Sequence, residues 1–158
     1  MQLGYVPRAT KSRCTVAVDF DGTIVQHQFP KIGFEAVGAF RWLQRFKELD
    51  AELILWTIRA DDSKHGSVLT QAVEHCRANG VEFDTVNVKK GQHHWTSSVK
   101  LHADIYIDEA SLGCPLCPPE SYENARPYAD WSVIGPAVES KLQERLVLLG
   151  IAIPTRSW

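Results

Sequence analysis

The stretch that decides the fold reads TVAVDFDGTI and occupies residues 15–24. Its first four residues are apolar or β-branched, a run typical of a strand buried on both faces of a parallel sheet. Asp19 and Asp21 follow at the carboxyl end of this predicted strand, the edge where open α/β sheets bind their ligands. Gly22 allows a sharp turn there. Because alternate residues of an extended segment point to opposite sides, we expect the two carboxylates to have different roles.

Predicted helices and strands alternate along the rest of the chain. Further apolar strands are expected at 53–56, 85–88 and 105–107, with a short helix near Lys100. Apolar residues recur at helical spacing in three segments: Ala36, Val37, Phe40, Leu43 and Phe46; Leu69, Ala72, Val73 and Cys76, ended by Gly80; and Val138, Leu142, Leu146 and Leu149. Such alternation predicts a three-layer αβα sandwich around a parallel, Rossmann-like sheet.

Length and composition indicate one globular domain over residues 1–158, with its core at about 14–109 and a proline-rich loop and last helix at 110–158. The formal net charge of −2 supplies no bulk attraction to nucleic acid or to anionic membranes. No apolar run reaches the length of a membrane span, and no signal-peptide segment is evident. We therefore expect a cytoplasmic protein with no membrane partner, and nucleic acid is disfavoured as a ligand.

Polar residues follow several of the predicted strands. Asp19 and Asp21, then Thr57, then Asp108 and Glu109 each stand where a strand ends, and Lys100 lies just ahead of the last strand. In a parallel sheet these ends meet at one edge. Carboxylate oxygens suit Mg²⁺, while a lysine and a hydroxyl complement the charge of a phosphoryl group. The pattern is therefore typical of phosphoryl-transfer chemistry.

In order and content these residues resemble the four signatures of the haloacid dehalogenase superfamily of phosphotransferases. The match consists of Asp19-Phe-Asp21-Gly-Thr, then Thr57, then Lys100, then Asp108-Glu109. The resemblance implies that Asp19 is the nucleophile that forms an aspartyl-phosphate and that Asp21 is the general acid and base. It also implies that Thr57 and Lys100 bind the phosphate.

The same resemblance implies a Mg²⁺ cofactor held by Asp19, the backbone carbonyl of Asp21 and Asp108. Glu109 stands where a second aspartate is common in the superfamily, so its contact with the metal is left open as direct or water-mediated. Asp21 favours a phosphatase, because dehalogenating members lack this aspartate and ion pumps carry threonine there. Mutases also have it but rely on a cap domain.

The two connections at which superfamily caps are inserted are short here, at 25–33 and 89–99. The resemblance therefore implies a capless enzyme with an open site, suited to a bulky substrate or to a lid from another subunit of a homo-oligomer. His27, Phe29 and Lys31 are expected at the entrance, and Arg59 is a candidate substrate contact. A small phosphorylated substrate is the expected partner, and a sugar phosphate, nucleotide, polynucleotide end or phosphoprotein all stay open.

Two other readings of the chain stay open. A receiver-type signalling domain also uses an acidic pocket and a phospho-aspartate, but its phosphorylated aspartate follows the third strand, which here reads Thr85-Val-Asn-Val. A non-catalytic binding module with the same fold is the other. Cys114 and Cys117 form a C-x-x-C whose redox or metal role is open, since no second pair completes a zinc site.

Overall fold

The computed structural model describes residues 13–158. Residues 1–13, whose sequence shows no helical or strand periodicity, lie outside this range except for Arg13. Within the described range the helices and strands follow in the order β1 (Thr15–Val18), α1 (Ala39–Glu48), β2 (Glu52–Leu55), α2 (Val68–Ala78), β3 (Thr85–Val86), a 3₁₀ turn (Gln92–His94), β4 (Ile105–Ile107), β5 (Leu116–Cys117), β6 (Tyr128–Ala129) and α3 (Trp131–Leu148).

The first four strands form a parallel sheet in the order β3-β2-β1-β4, so β1 lies in its interior. Val18 is level with Leu55 on β2 and with Ile107 on β4. The carboxyl ends of three strands therefore finish side by side, as the apolar runs predicted. A parallel, Rossmann-like α/β fold is confirmed.

One face of the sheet carries the main core. Val16 and Val18 of β1 pack there with Leu53 and Leu55 of β2, and residues from all three α-helices join the same cluster. Helix α3 begins at Trp131, and the carboxylate of the preceding Asp130 caps it by accepting a hydrogen bond from the backbone N–H of Ser132. The helical layer holds the sheet rigidly from this side.

The opposite face is covered differently from the sandwich that was predicted. Ala17 and Ile54 pack there against Leu101, in the connection between β3 and β4. In this connection the structure has only the three-residue 3₁₀ turn at Gln92–His94, and Lys100 lies in a loop, so the expected helix near Lys100 is wrong. The polar sequence of this connection offers no apolar stripe that would form a helix on the sheet.

Other boundaries differ from the sequence prediction in two places. Helix α1 begins only at Ala39, after the left-handed Gly38, so Val37 is exposed instead of packed on the apolar face. The proline-rich segment is not entirely loop, because β5 and β6 pair as antiparallel strands. Gly80, with a φ of 79°, follows the end of α2 as predicted.

The described cysteines are all free thiols, and Cys76 is buried in the core as expected. Among the helices of residues 13–158, none has the length and apolar character that crossing a membrane requires.

Candidate active site

Three acidic side chains meet at the carboxyl edge of the sheet. Asp19 directly follows β1, while Asp108 and Glu109 follow the neighbouring strand β4. The backbone N–H of Asp19 donates to the carbonyl of Ile107 at 2.9 Å, which continues the pairing of the two strands. One carboxylate oxygen from each residue lies within 4.8 Å of the others, a spacing at which they could hold a metal ion.

Thr23 connects two members of this acid cluster. Its Oγ1 lies 3.2 Å from Oδ2 of Asp19 and 3.1 Å from Oε2 of Glu109, and it accepts the backbone N–H of Glu109 at 3.1 Å. Thr23 is fully buried, so its position is fixed by packing. The hydroxyl thus orients both carboxylates, as supporting residues commonly do around metal ligands.

His27 contacts the other oxygen of Glu109, with 3.2 Å between Nε2 and Oε1. The imidazole lies directly against Gly22, whose φ is 86°. A Cβ on residue 22 would overlap the His27 ring, and L-residues avoid this backbone conformation. Glycine is therefore required in the turn for two independent reasons.

The acid cluster crowds negative charge in a poorly solvated place. Burial raises the pKa of Asp19 to about 8, and the charges of Glu109 and Asp108 add to the rise, against the backbone hydrogen bond from Phe20 that lowers the pKa. A bound cation would offset this cost. The electrostatics therefore fit a site that takes up a positive ion.

Asp21 does not belong to the acid cluster, because its carboxylate forms a bidentate ion pair with Arg59. Nε of Arg59 lies 2.7 Å from Oδ2 of Asp21, and Nη2 lies 2.7 Å from Oδ1. The two carboxylates of the DFD sequence thus have different partners, in keeping with the alternation of an extended segment. The two charge-assisted hydrogen bonds fix the position of the Asp21 carboxylate.

The Arg59 side chain is 0% exposed, and its remaining N–H groups are also used. Nη1 lies within hydrogen-bonding distance of the carbonyls of Pro30 and Val68, and Nη2 donates to the carbonyl of Lys31. All five guanidinium N–H groups therefore have acceptors within the protein. The sequence predicted Arg59 as a substrate contact, but in this structure it holds Asp21 and the 30–31 turn.

An open cleft of about 1040 Å³ lies over the acid cluster. Phe29, Lys31 and His27 line it, as expected for the first connection. Residues of the proline-rich segment also line it, and these are Tyr122, Glu123, Asn124 and Arg126. The segment after β4 thus contributes a wall of the site, a feature that its composition does not indicate.

The two residues predicted to bind phosphate lie outside the lining of this cleft. Thr57 is nearly buried, its hydroxyl accepts the backbone N–H of Arg59 at 3.1 Å, and its backbone pairs with the Asn87 amide. Lys100 is exposed, and its carbonyl accepts from Gln92 at 2.7 Å. Their phosphate contacts stay predictions, whereas the lining of the cleft supplies cations from Lys31 and Arg126.

Sequence reasoning missed the parts played by Thr23 and Arg59. Thr23 had a signal, because it is a hydroxyl placed two residues after the second carboxylate. Arg59 had none beyond its position just after Thr57, since a buried arginine in a loop gives no periodic pattern.

The protein is therefore an α/β protein with a parallel, Rossmann-like sheet and an acid cluster at the carboxyl edge of that sheet. No family model and no curated protein matches the chain. Among solved structures, a conserved protein coded by a locus of Bacteroides thetaiotaomicron is similar, with a TM-score of 0.64 and 35% sequence identity. The similarity covers 82% of this chain and 93% of that chain. The chain therefore belongs to the same family as this Bacteroides protein.

Proposed function

We propose that this protein is a Mg²⁺-dependent phosphatase of the haloacid dehalogenase type that hydrolyses a phosphomonoester through an aspartyl-phosphate on Asp19. The observation that carries the proposal is the convergence of Asp19, Asp108 and Glu109 within 4.8 Å at the carboxyl edge of the sheet. Asp21 lies two residues further on, with a different set of partners.

The donor set fits the cofactor. Mg²⁺ prefers carboxylate and carbonyl oxygens and keeps part of its water shell, so a few protein oxygens suffice. Asp19, Asp108 and Glu109 would hold the ion, together with the predicted backbone carbonyl of Asp21. When bound, Mg²⁺ would offset the charges of the carboxylates and of the phosphoryl group.

In the proposed first step, a carboxylate oxygen of Asp19 attacks phosphorus and the bond to the ester oxygen breaks. Asp21 gives a proton to that leaving oxygen. In the second step, Asp21 takes a proton from water as the water attacks phosphorus, which releases inorganic phosphate and restores Asp19. The Arg59 ion pair orients the Asp21 carboxylate for both steps. We expect the first step to require that Asp21 weaken one of its two hydrogen bonds to Arg59.

The residues around the cleft support a site for a phosphorylated ligand with an accessible mouth. Lys31 and Arg126 are the cations in its lining, and they can approach the remaining phosphate oxygens. The connections after β1 and after β3 are too short to form a cap domain, so a bulky substrate can enter.

Hydrolysis of p-nitrophenyl phosphate by the full chain, with Mg²⁺ or with EDTA, tests the proposal. We expect turnover only with Mg²⁺, loss of turnover in Asp19→Asn, and a fall of about 100- to 10,000-fold in Asp21→Asn. Asp50→Asn, an exposed aspartate outside the cleft, is the matched control and should keep the activity.

Each outcome separates the proposal from its alternatives. Turnover that survives Asp19→Asn would contradict the nucleophile. Stable phosphorylation without turnover would favour a receiver-like signalling domain, and Mg²⁺ binding with neither would favour a binding module.

A further inference from the structure

We propose that the cleft selects phosphomonoesters whose leaving group carries a planar unsaturated ring, which stacks on Phe29. This inference rests on the proposed phosphatase function, because it concerns the part of the substrate that leaves from phosphorus. It names the substrate class that the function alone leaves open.

Phe29 is a half-exposed aromatic residue in the lining of the cleft. Phe29 is 48% exposed, although large apolar residues are usually buried. The Arg59 guanidinium carbon lies 5.2 Å from the centre of its ring, and the His65 ring meets it edge-on at 5.3 Å between centroids. The ring is therefore fixed by its neighbours while part of it stays open to a ligand, which is the arrangement of a preorganised stacking surface.

The same arginine also fixes the carboxylate that handles the leaving oxygen. Arg59 binds both oxygens of Asp21 at 2.7 Å and lies against Phe29. Asp21, the proposed proton donor, and the Phe29 ring thus contact the same buried guanidinium group. Since Asp21 and Phe29 both line the cleft and share Arg59 as a neighbour, a group bonded to the leaving oxygen can extend from Asp21 towards Phe29.

Apolar side chains accompany Phe29 in the lining of the cleft. Ile58, fully exposed, and Val68 belong to the same lining and offer no hydrogen-bonding side chain. Contact with the Phe29 ring itself costs an unsaturated ring no hydrogen bonds to water, whereas a sugar placed against that ring would lose hydrogen bonds of its hydroxyls. The cleft volume of about 1040 Å³ is ample for a ring system attached to a phosphorylated sugar or alcohol.

The experiment compares substrates that share the scissile bond and differ in the ring. Adenosine 5′-monophosphate is paired with ribose 5-phosphate, and benzyl phosphate with cyclohexylmethyl phosphate, with Mg²⁺ and the full chain. We expect kcat/KM to favour the unsaturated member of each pair by about tenfold, because an unsaturated ring stacks favourably on an aromatic side chain. A preference within the first pair alone would assign the ring to a nucleotide base, and a preference in both would extend the class to aryl groups.

Variants at Phe29 test whether this ring is the cause. Phe29→Leu keeps an apolar side chain but removes the aromatic face, so the kcat/KM ratio within each pair should fall towards one. Phe29→Tyr should keep the ratio. Phe34→Leu is the matched control, because Phe34 is 71% exposed in the same connection but does not line the cleft, and its ratio should equal that of the wild type.

The results distinguish a failure of the ring selection from a failure of the proposed phosphatase function. If both members of each pair are hydrolysed equally well, or if Phe29→Leu keeps the wild-type ratio, the ring selection is overturned and the phosphatase stands. If no phosphomonoester is hydrolysed, the phosphatase is overturned. In that case calorimetry of the wild type with the same two pairs tests whether the ring is bound. Equal affinities within each pair would overturn the ring selection as well.

Discussion

Replacing Asp19 by asparagine is expected to stabilise the metal-free protein while it removes the proposed activity. In the folded protein the Asp19 carboxyl has a pKa of about 8, whereas an unperturbed aspartate is near 3.8. The folded state therefore holds this proton more tightly than the unfolded chain. Between these two pH values the wild type loses stability as pH rises, because folding then requires an ionised carboxylate in a half-buried position beside other acidic groups.

The size of the effect follows from the two pKa values. Each pKa unit corresponds to about 1.4 kcal/mol, so the ionisable Asp19 costs about 2 kcal/mol at pH 5 and about 5 kcal/mol at pH 8. Asparagine has nearly the same shape, can accept a hydrogen bond from the Thr23 hydroxyl, and carries no charge at either pH. We expect the variant to gain stability over the wild type, with a larger gain at pH 8 by about 3 kcal/mol.

Urea unfolding in EDTA at pH 5 and pH 8 measures this difference for both proteins. Asp50→Asn serves as the control and should change the free energy of unfolding by less than about 1 kcal/mol, since exposed ion pairs contribute little. Mg²⁺ added at pH 8 should stabilise the wild type more than Asp19→Asn. A variant that is no more stable than the wild type at pH 8, or that gains equally at both pH values, would refute the reasoning.

Three further substitutions test the supports of the site. Gly22→Ala should lower the free energy of unfolding by about 2 kcal/mol or more, because the residue has a φ of 86° and its new methyl group would overlap His27; an unchanged urea midpoint would contradict this. Arg59→Lys keeps the charge but loses the bidentate contact with Asp21. We therefore expect a loss of about 3 kcal/mol in the free energy of unfolding and slower hydrolysis of p-nitrophenyl phosphate. A fully active and stable variant would show that Arg59 does not position Asp21. Thr23→Val removes the hydroxyl shared by two acidic side chains, and calorimetry should show Mg²⁺ affinity reduced by about tenfold, an effect that a merely structural hydroxyl would not produce.

The sequence pattern predicts the centre of the sheet well, because the interior strands β1 and β2 are buried on both faces. The runs at 15–18 and 105–107 have no polar residue on the core face, so the sequence predicts them as strands, and their parallel pairing follows from the alternation of strands with helices. The position of Asp19 beside Asp108 then follows from topology, since neighbouring parallel strands end at one edge. These parts of the site needed no knowledge of side-chain packing.

The remaining parts depend on tertiary contacts that leave no local signal. Arg59 is buried because Asp21 and three backbone carbonyls from other segments satisfy it, and none of these partners is close in sequence. The placement of Lys100 in an exposed loop reflects a β3–β4 connection that covers the sheet through Leu101 and not through a helix. The 112–128 segment contributes residues to the cleft although its prolines indicate only a loop.

Trapping the covalent intermediate is the most direct test of the central claim that Asp19 attacks phosphorus. During turnover of p-nitrophenyl phosphate with Mg²⁺, the protein is quenched in acid and treated with borohydride, which reduces an aspartyl-phosphate to homoserine. Mass spectrometry of the peptides is expected to find homoserine at residue 19, and not in a sample treated without substrate. Modification of a different aspartate, or steady hydrolysis with residue 19 unmodified, would contradict the account.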